Sequence, residues 1–165
     1  MRIFPFFLAL LLSGCANPKD GGQTVYLFRH AEKVTDTDTE DPPLSPAGEQ
    51  RAAQTAEILE DTEVDRFYST RYIRNMATLS PAAIPRGMKI KPYEWHDWEP
   101  MVREITADAY NLRTVVICGH GDNLLPMIES FGCEAPLDSL GPYEHDKYFI
   151  VEMKDGDCKV RTEVY

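Results

Sequence analysis

Arg29-His30 is the first place in this chain where residue types suggest chemistry. It follows the apolar, β-prone run Val25-Tyr26-Leu27-Phe28, and Glu32 and Lys33 come directly after. A second histidine, His120, lies between Gly119 and Gly121 after Thr114–Cys118, the clearest apolar run in the chain. Between them lie Tyr68-Ser69-Thr70, then Arg71 and Arg74, and further on Glu94. Arginines fork around a tetrahedral anion and clamp its oxygens. A histidine with a neutral ring nitrogen can attack phosphorus, and a second, if protonated, stabilises charge on the equatorial oxygens. Glycines beside His120 let backbone N–H groups approach an anion at a helix N-terminus. A carboxylic acid can protonate a departing alcohol and then deprotonate the incoming water.

That chemistry requires residues far apart in sequence to meet. Short apolar runs predict strands at 24–28, 64–68, 89–93 and 114–118. Between them, helical signals recur. Ser45-Pro46 is an N-cap with proline at the first helical position, followed by Ala52, Ala56 and Leu59 on one face. A second helix is expected from about Arg71 to Leu79, with Ile73, Met76 and Ala77 on one face and Pro81 and Pro85 bounding it. Pro100 opens a third, with Val102, Ile105 and Ala109 at helical spacing, and a fourth follows Asn123 to about Phe131. Lys147–Met153 and Cys158–Val164 flank Asp155-Gly156 and predict a terminal β-hairpin. Alternating strands and helices predict an α/β fold: a three-layer sandwich, its sheet mostly parallel, with helices on both faces. In such a sheet the strands' carboxyl ends share one edge, where ligands bind. Arg29, His30, Ser69, Arg74, Glu94, His120 and Gly121 all fall there. The acidic stretch from Lys33 to Pro43 reads as a solvated loop beside that edge.

The N-terminus has a different character. Arg2, the apolar run Ile3–Leu12 and Ser13-Gly14 form a secretory signal over 1–14, too short to span a bilayer. Leu12-Ser13-Gly14-Cys15 resembles a bacterial lipobox. The resemblance implies a lipidated Cys15, a tether over 15–23 and one domain over 24–165, placed in the cell envelope facing the periplasm. The net charge of −10 opposes binding to nucleic acid or to an anionic membrane surface, so any phosphate site must be a local positive pocket. Export permits disulfides. Of Cys118, Cys133 and Cys158, the first sits in an apolar run as a buried filler, and Cys133–Cys158 is the pair to test. No cysteine or histidine cluster has zinc-like spacing, so no metal is expected.

Four stretches, in order, resemble the histidine phosphatase superfamily, in the small single-domain form of its phosphoglycerate-mutase-like branch. Arg29-His30-Ala31-Glu32 resembles the family's Arg-His-Gly signature, and Leu44-Ser45-Pro46-Ala47-Gly48 its helix opening. Tyr68-Ser69-Thr70 with downstream Arg74 resembles its Tyr-Ser-Ser segment, and Val115–Gly121 its second histidine motif. The resemblance covers about residues 24 to 152. It implies His30 as the phosphorylated nucleophile, with Arg29, Arg74 and His120 binding the phosphoryl group, and Glu94 as acid/base. Gly121 and Ser69 would complete the phosphate site. Glu32, Asp97 or Glu99 are alternatives for the acid, as is no acid at all. Ala31 stands where glycine is usual, Ala77 where Gln or Glu is common, and Asn75 where a small residue is common. No cofactor is implied.

Two functions follow. One is a phosphomonoester hydrolase with a phosphohistidine intermediate, acting on a phosphorylated small molecule, glycolipid or phosphoprotein. The other is a non-catalytic phospholigand-binding lipoprotein using the same pocket. A metal hydrolase built on His96, Asp97, His120 and His145 lacks compact ligand spacing. Mutase activity needs a second phosphate-binding arm, and none is identifiable. Trp95 and Trp98 are expected to pack rather than bind ligand.

Overall fold

A computed structural model describes residues 22–165. The signal sequence, Cys15 and most of the expected tether lie outside the described residues. The elements run β1 (Gln23–Arg29), α1 (Pro46–Ile58), β2 (Arg66–Ser69), α2 (Ile73–Ala83), β3 (Ile90–Pro92), α3 (Glu99–Ala107), β4 (Thr114–Gly119), α4 (Leu124–Ser130), β5 (Lys147–Lys154) and β6 (Asp157–Val164). One sheet holds all six strands in the order β3-β2-β4-β1-β5-β6. The first four in that order are parallel. The β5–β6 hairpin then docks antiparallel on β1, so the sheet is mixed, with a parallel majority.

Strand alternation sorts the core into two layers. Val25, Leu27, Val115, Ile117, Phe149 and Val151 face α3 and α4. Phe28, Phe67, Val116, Cys118 and Ile150 face α1 and α2. β4 lies between parallel neighbours with both faces covered, which is why its sequence is an unbroken apolar run. Phe28, Phe67 and Phe149 are fully buried, each contributing about 1.5–3 kcal/mol by removal from water.

Two local features hold the front of the sheet. The Ser45 hydroxyl caps α1 by accepting from the Gly48 N–H at 3.2 Å, and Pro46 starts the helix. Ser45 N–H donates to the Glu32 carbonyl at 2.8 Å. Gly48 then passes so close to that carbonyl that a Cβ would collide with its oxygen. The Leu-Ser-x-x-Gly pattern therefore fixes α1 against the segment that follows β1.

α2 differs from expectation. The chain runs helically past Pro81 to Ala83, and Ile73 is exposed. The buried face is Arg74, Asn75, Thr78, Leu79, Ala82 and Ala83, one step round from the apolar stripe read in the sequence. The reason is that this face supplies polar contacts to the edge of the sheet as well as apolar ones to its face.

Cys133 and Cys158 form a disulfide with a Cα–Cα distance of 5.4 Å, tying the segment after α4 to β6. Closing a loop of 25 residues stabilises the fold by about 3–4 kcal/mol in the chain-entropy account. Cys118 is free and buried, as its apolar setting suggested.

Candidate active site

The strand ends meet at one edge in an open cleft of about 910 Å³, lined by Arg29, His30, Arg74, Trp95, His120, Gly121 and His145 among others. The volume exceeds what a phosphate group needs and leaves room for an organic substituent.

His30 continues the backbone ladder past β1, its N–H donating to the Gly119 carbonyl at 3.0 Å. Its side chain is buried. Nδ1 lies 2.9 Å from the Ala31 carbonyl oxygen. A carbonyl can only accept, so Nδ1 carries the proton and Nε2 keeps its lone pair. The Ala31 N–H donates to Thr78 Oγ1 at 2.9 Å, and that hydroxyl donates to the Arg74 carbonyl at 2.8 Å, stitching the nucleophile's loop to α2. Ala31 and Ala77 fit one another here. The Ala31 methyl is buried with Leu44 and Ala52, and Ala77 packs against the same cluster. A small side chain at 77 makes room for the extra methyl at 31.

His120 follows β4. Its backbone N–H donates to Asn123 Oδ1 at 2.8 Å, so that group is not free to receive an anion. Asn123 Nδ2 donates to the Trp95 carbonyl at 3.2 Å, fixing the turn to the segment after β3. The ring of His120 stacks on Trp95, with centroids 4.0 Å apart and planes 18° apart, and meets the edge of Tyr72 at 5.4 Å. Nε2 lies 3.0 Å from Thr70 Oγ1. The His30 and His120 rings are T-shaped at 5.4 Å.

Burial pushes the imidazole pKa down to about 3 in both rings. Arg74 and Arg29 lower both further, and the two histidines are neutral at pH 7. The charged His120 considered from the sequence is not the state of this pocket; the arginines carry its positive charge. A stability prediction follows. The unfolded histidines take up protons near pH 6.5 while the folded ones refuse them until about pH 3. Stability is therefore complete above 6.5 and is lost as pH falls, by roughly 1.4 kcal/mol per pH unit per histidine. Thermal unfolding followed from pH 7 to pH 4 should show a falling Tm, with a shallower slope in His120→Asn. An unchanged slope in that variant counts against neutral burial of His120.

Arg74 is buried. Its Nη1 reaches Asp41 Oδ1 at 3.4 Å, and its guanidinium lies 4.4 Å over the Tyr72 ring. Arg29 is used differently from expectation. Its Nη1 donates to the carbonyls of Gly141 (2.7 Å) and Glu144 (2.8 Å), and its Nη2 to that of Pro142 (2.9 Å). The fork thus grips the 141–144 loop at the cleft's rim. The Nε of both Arg29 and Arg74 is buried with no protein partner among the described residues. Two unsatisfied N–H donors at an arginine pair suit an anion that completes them. Gly121 packs tightly here: a Cβ would stand 3.0 Å from Arg29 Cζ and press on the guanidinium.

Two placements are corrected. Ser69 is buried and donates its hydroxyl to the Thr70 carbonyl at 2.9 Å, and it does not line the cleft. Its neighbour Thr70 meets His120 instead, because adjacent residues leave a strand on opposite sides. Glu94 is exposed and lines a neighbouring groove with Thr70, Arg71 and His96. Trp95, one residue on, takes the position in the cleft. Asp97 lines that same groove, and Glu99 opens α3. Glu32 lines the cleft, but its carboxylate is held by Arg51 Nε at 3.0 and 2.9 Å and by Nη2 at 2.7 Å, which keeps its pKa below the usual range. Among the described residues no three His, Cys, Asp or Glu side chains are grouped to hold a metal ion.

The sequence reading missed Trp95 and His145, which line the cleft, and Thr70 and Tyr72, which touch His120 from the neighbouring groove. Thr70 and Trp95 follow strand ends and shared that address with Ser69 and Glu94. His145 carries no such local signal.

Strand order, hairpin and edge cleft define a phosphoglycerate-mutase-like α/β domain. A candidate phosphohistidine phosphatase, SixA, from Agrobacterium tumefaciens has a similar structure, with a TM-score of 0.66 at 20% identity, covering 87% of this chain and 99% of that one. Phosphoglycerate mutase from Bacillus anthracis gives 0.65 at 14% identity, covering 88% and 94%. Alpha-ribazole phosphatase from Shigella flexneri gives 0.64 at 13%, covering 87% and 96%. These likenesses establish the fold. No curated protein matches the chain significantly. Residues 25–99, from β1 to the first residue of α3, match the sequence model of the histidine phosphatase superfamily (branch 1). The matched stretch holds Arg29, His30 and Arg74, and the fold around it is the one these solved structures share.

Proposed function

We propose that this chain is a phosphomonoester hydrolase that works through a phosphohistidine on His30. The observation that carries the reading is the locked tautomer of His30. Its Nδ1–H is spent on the Ala31 carbonyl, which leaves a neutral Nε2 in a pocket with a half-buried and a buried arginine. In the first half-reaction the Nε2 lone pair forms a bond to phosphorus as the ester P–O bond breaks, and the departing oxygen takes a proton. In the second, water attacks phosphorus, the P–N bond breaks, and the water's proton leaves. Arg29, Arg74 and His120 bind the phosphoryl oxygens, where negative charge is held throughout. No step needs a metal. The cleft admits phosphorylated small molecules, glycolipid phosphates or exposed phosphates on proteins. Relatives of this fold named as phosphatases favour hydrolysis over phosphoryl transfer to a second substrate.

The test is to trap the intermediate. Detergent-solubilised full-length protein, quenched during turnover of an aryl phosphate, should carry an acid-labile, alkali-stable phosphoryl group on His30. The competing reading, a phospholigand-binding protein, gains weight from Glu94 lying outside the cleft. It requires phosphate binding with no labelled histidine.

The N-terminal reading adds a lipid anchor at Cys15 and export to the envelope, with the domain facing the periplasm. The Cys133–Cys158 disulfide suits an oxidising compartment. One cleaved lipoprotein carries two or more acyl chains, enough for stable anchoring at about 0.8 kcal/mol per buried methylene. Cys15→Ser should therefore move the protein from the membrane fraction to the soluble fraction after cell disruption. Retention in the membrane would remove the anchor from the proposal.

A further inference from the structure

We propose that His145 is the acid and base of this pocket, through its Nε2. The inference rests on the phosphohistidine reading of the same site and supplies the proton carrier that reading lacks. The carboxylates do not fill the role. Glu94 lies in the neighbouring groove, and both oxygens of Glu32 are held by Arg51. Asp122 lines the cleft but is exposed and accepts from Trp95 Nε1 at 3.1 Å, while Asp138 is exposed at the rim.

His145 is half-buried and lines the same cleft, its ring centroid 5.5 Å from that of His30. Its Nδ1 lies 2.9 Å from the backbone carbonyl oxygen of His30. That oxygen accepts, so Nδ1 carries a proton in every state of the ring. The bond sets the ring's orientation relative to the nucleophile's own backbone. Nε2 makes no hydrogen bond among the described residues and is the atom whose protonation changes. This is an arrangement a proton shuttle needs: one nitrogen anchored, the other open, in a cleft shared with the nucleophile.

The protons balance. In the first half-reaction, His145 as imidazolium gives the Nε2 proton to the alcohol oxygen as the P–O bond breaks, and becomes neutral. In the second, the neutral Nε2 takes a proton from water as its oxygen bonds to phosphorus and the P–N bond breaks. His145 is then cationic again, ready for the next ester. Burial lowers the pKa of His145, and Arg29 and Arg51 lower it further, while the bond to the His30 carbonyl and the Glu32 carboxylate favour the imidazolium. A bound phosphate dianion adds negative charge beside it and favours the form that donates.

The test uses a leaving-group series with the full-length protein: 4-nitrophenyl, phenyl and benzyl phosphate. His145→Asn keeps an amide N–H where Nδ1 was, preserving the bond to the His30 carbonyl, and deletes Nε2. Nitrophenolate leaves without a proton, whereas the benzyl alkoxide cannot. The variant should therefore lose least on 4-nitrophenyl phosphate in the single-turnover phosphorylation step, and roughly 10²–10³-fold on benzyl phosphate. With its dephosphorylation slowed, the phosphoenzyme should accumulate during turnover of the nitrophenyl ester. Asp122→Asn should leave the leaving-group slope unchanged. Equal losses of His145→Asn across the series, or a steepened slope in Asp122→Asn instead, would overturn the proposal. Failure of the wild-type protein to label His30 is a separate result and would remove the underlying reading.

Discussion

His30→Ala is expected to lower kcat for an aryl phosphate on the order of 10⁴-fold or more and to abolish the trapped phosphoryl group. The size follows from the lack of a substitute. His120 Nε2 is engaged with Thr70, and His145 is anchored to the carbonyl of residue 30. Cys118 is completely buried, and burial pushes its thiol up to about 12, so no thiolate is available. The fold should survive, because the contacts that hold this segment are made by backbone. The residue 30 N–H bonds to the Gly119 carbonyl, and the Ala31 N–H bonds to Thr78. Binding of inorganic phosphate should persist through the arginines, and added imidazole should restore part of the activity by entering the vacated volume. Circular dichroism, phosphate titration and steady-state kinetics on one preparation separate these points. Turnover within tenfold of wild type would exclude a covalent route through His30.

Arg74→Ala is expected to cost about 2.7–4 kcal/mol of transition-state stabilisation, or roughly 10²–10³ in kcat/KM. Arg74 is the more deeply buried of the two arginines at the cleft, and its Nε has no protein partner among the described residues to compensate for burial. In an empty pocket that donor is a standing cost; an anion that completes it recovers the cost and adds a charge-assisted bond. The side chain is also positioned in advance, by Asp41 on one side and the face of Tyr72 on the other. Arg74→Lys should recover little, because an ammonium cannot present a fixed planar donor at the Nε position. Affinity for inorganic phosphate should fall with activity in both variants. A loss below threefold in Arg74→Ala, with phosphate affinity intact, would assign the guanidinium to packing.

These two residues also show how far the sequence reads. Strand and helix alternation is a local pattern, and it placed β1, β4 and the terminal hairpin to within a residue or two. The parallel order then put His30 and His120 at one edge, since chain direction and a short crossover leave little choice. Motif spacing brought Arg74 to the same edge. Ser69 and Glu94 were placed at the right strand ends but on the wrong side of the backbone. Side-chain direction alternates with every residue, and a boundary uncertain by one residue reverses it. The same limit explains α2. Its sequence shows an apolar stripe through Ile73, whereas the packed face carries Arg74, Asn75 and Thr78, chosen by what the neighbouring loops need to have bonded.

His145 marks what local pattern cannot hold. It precedes β5, and the start of a strand would lie at the far edge if that strand were parallel. β5 runs antiparallel to β1, with Tyr148 paired to Phe28. Its beginning therefore lies where β1 ends, and His145 arrives beside His30. The order of elements, the two histidine motifs, the arginines and the cysteine pair were written in the chain, because each depends on neighbours within a few residues or on topology that has few solutions. Where the Arg29 fork is spent and which third imidazole joins the cleft depended on strand direction and on contacts between segments more than a hundred residues apart. Only the folded chain brings those segments within hydrogen-bonding distance.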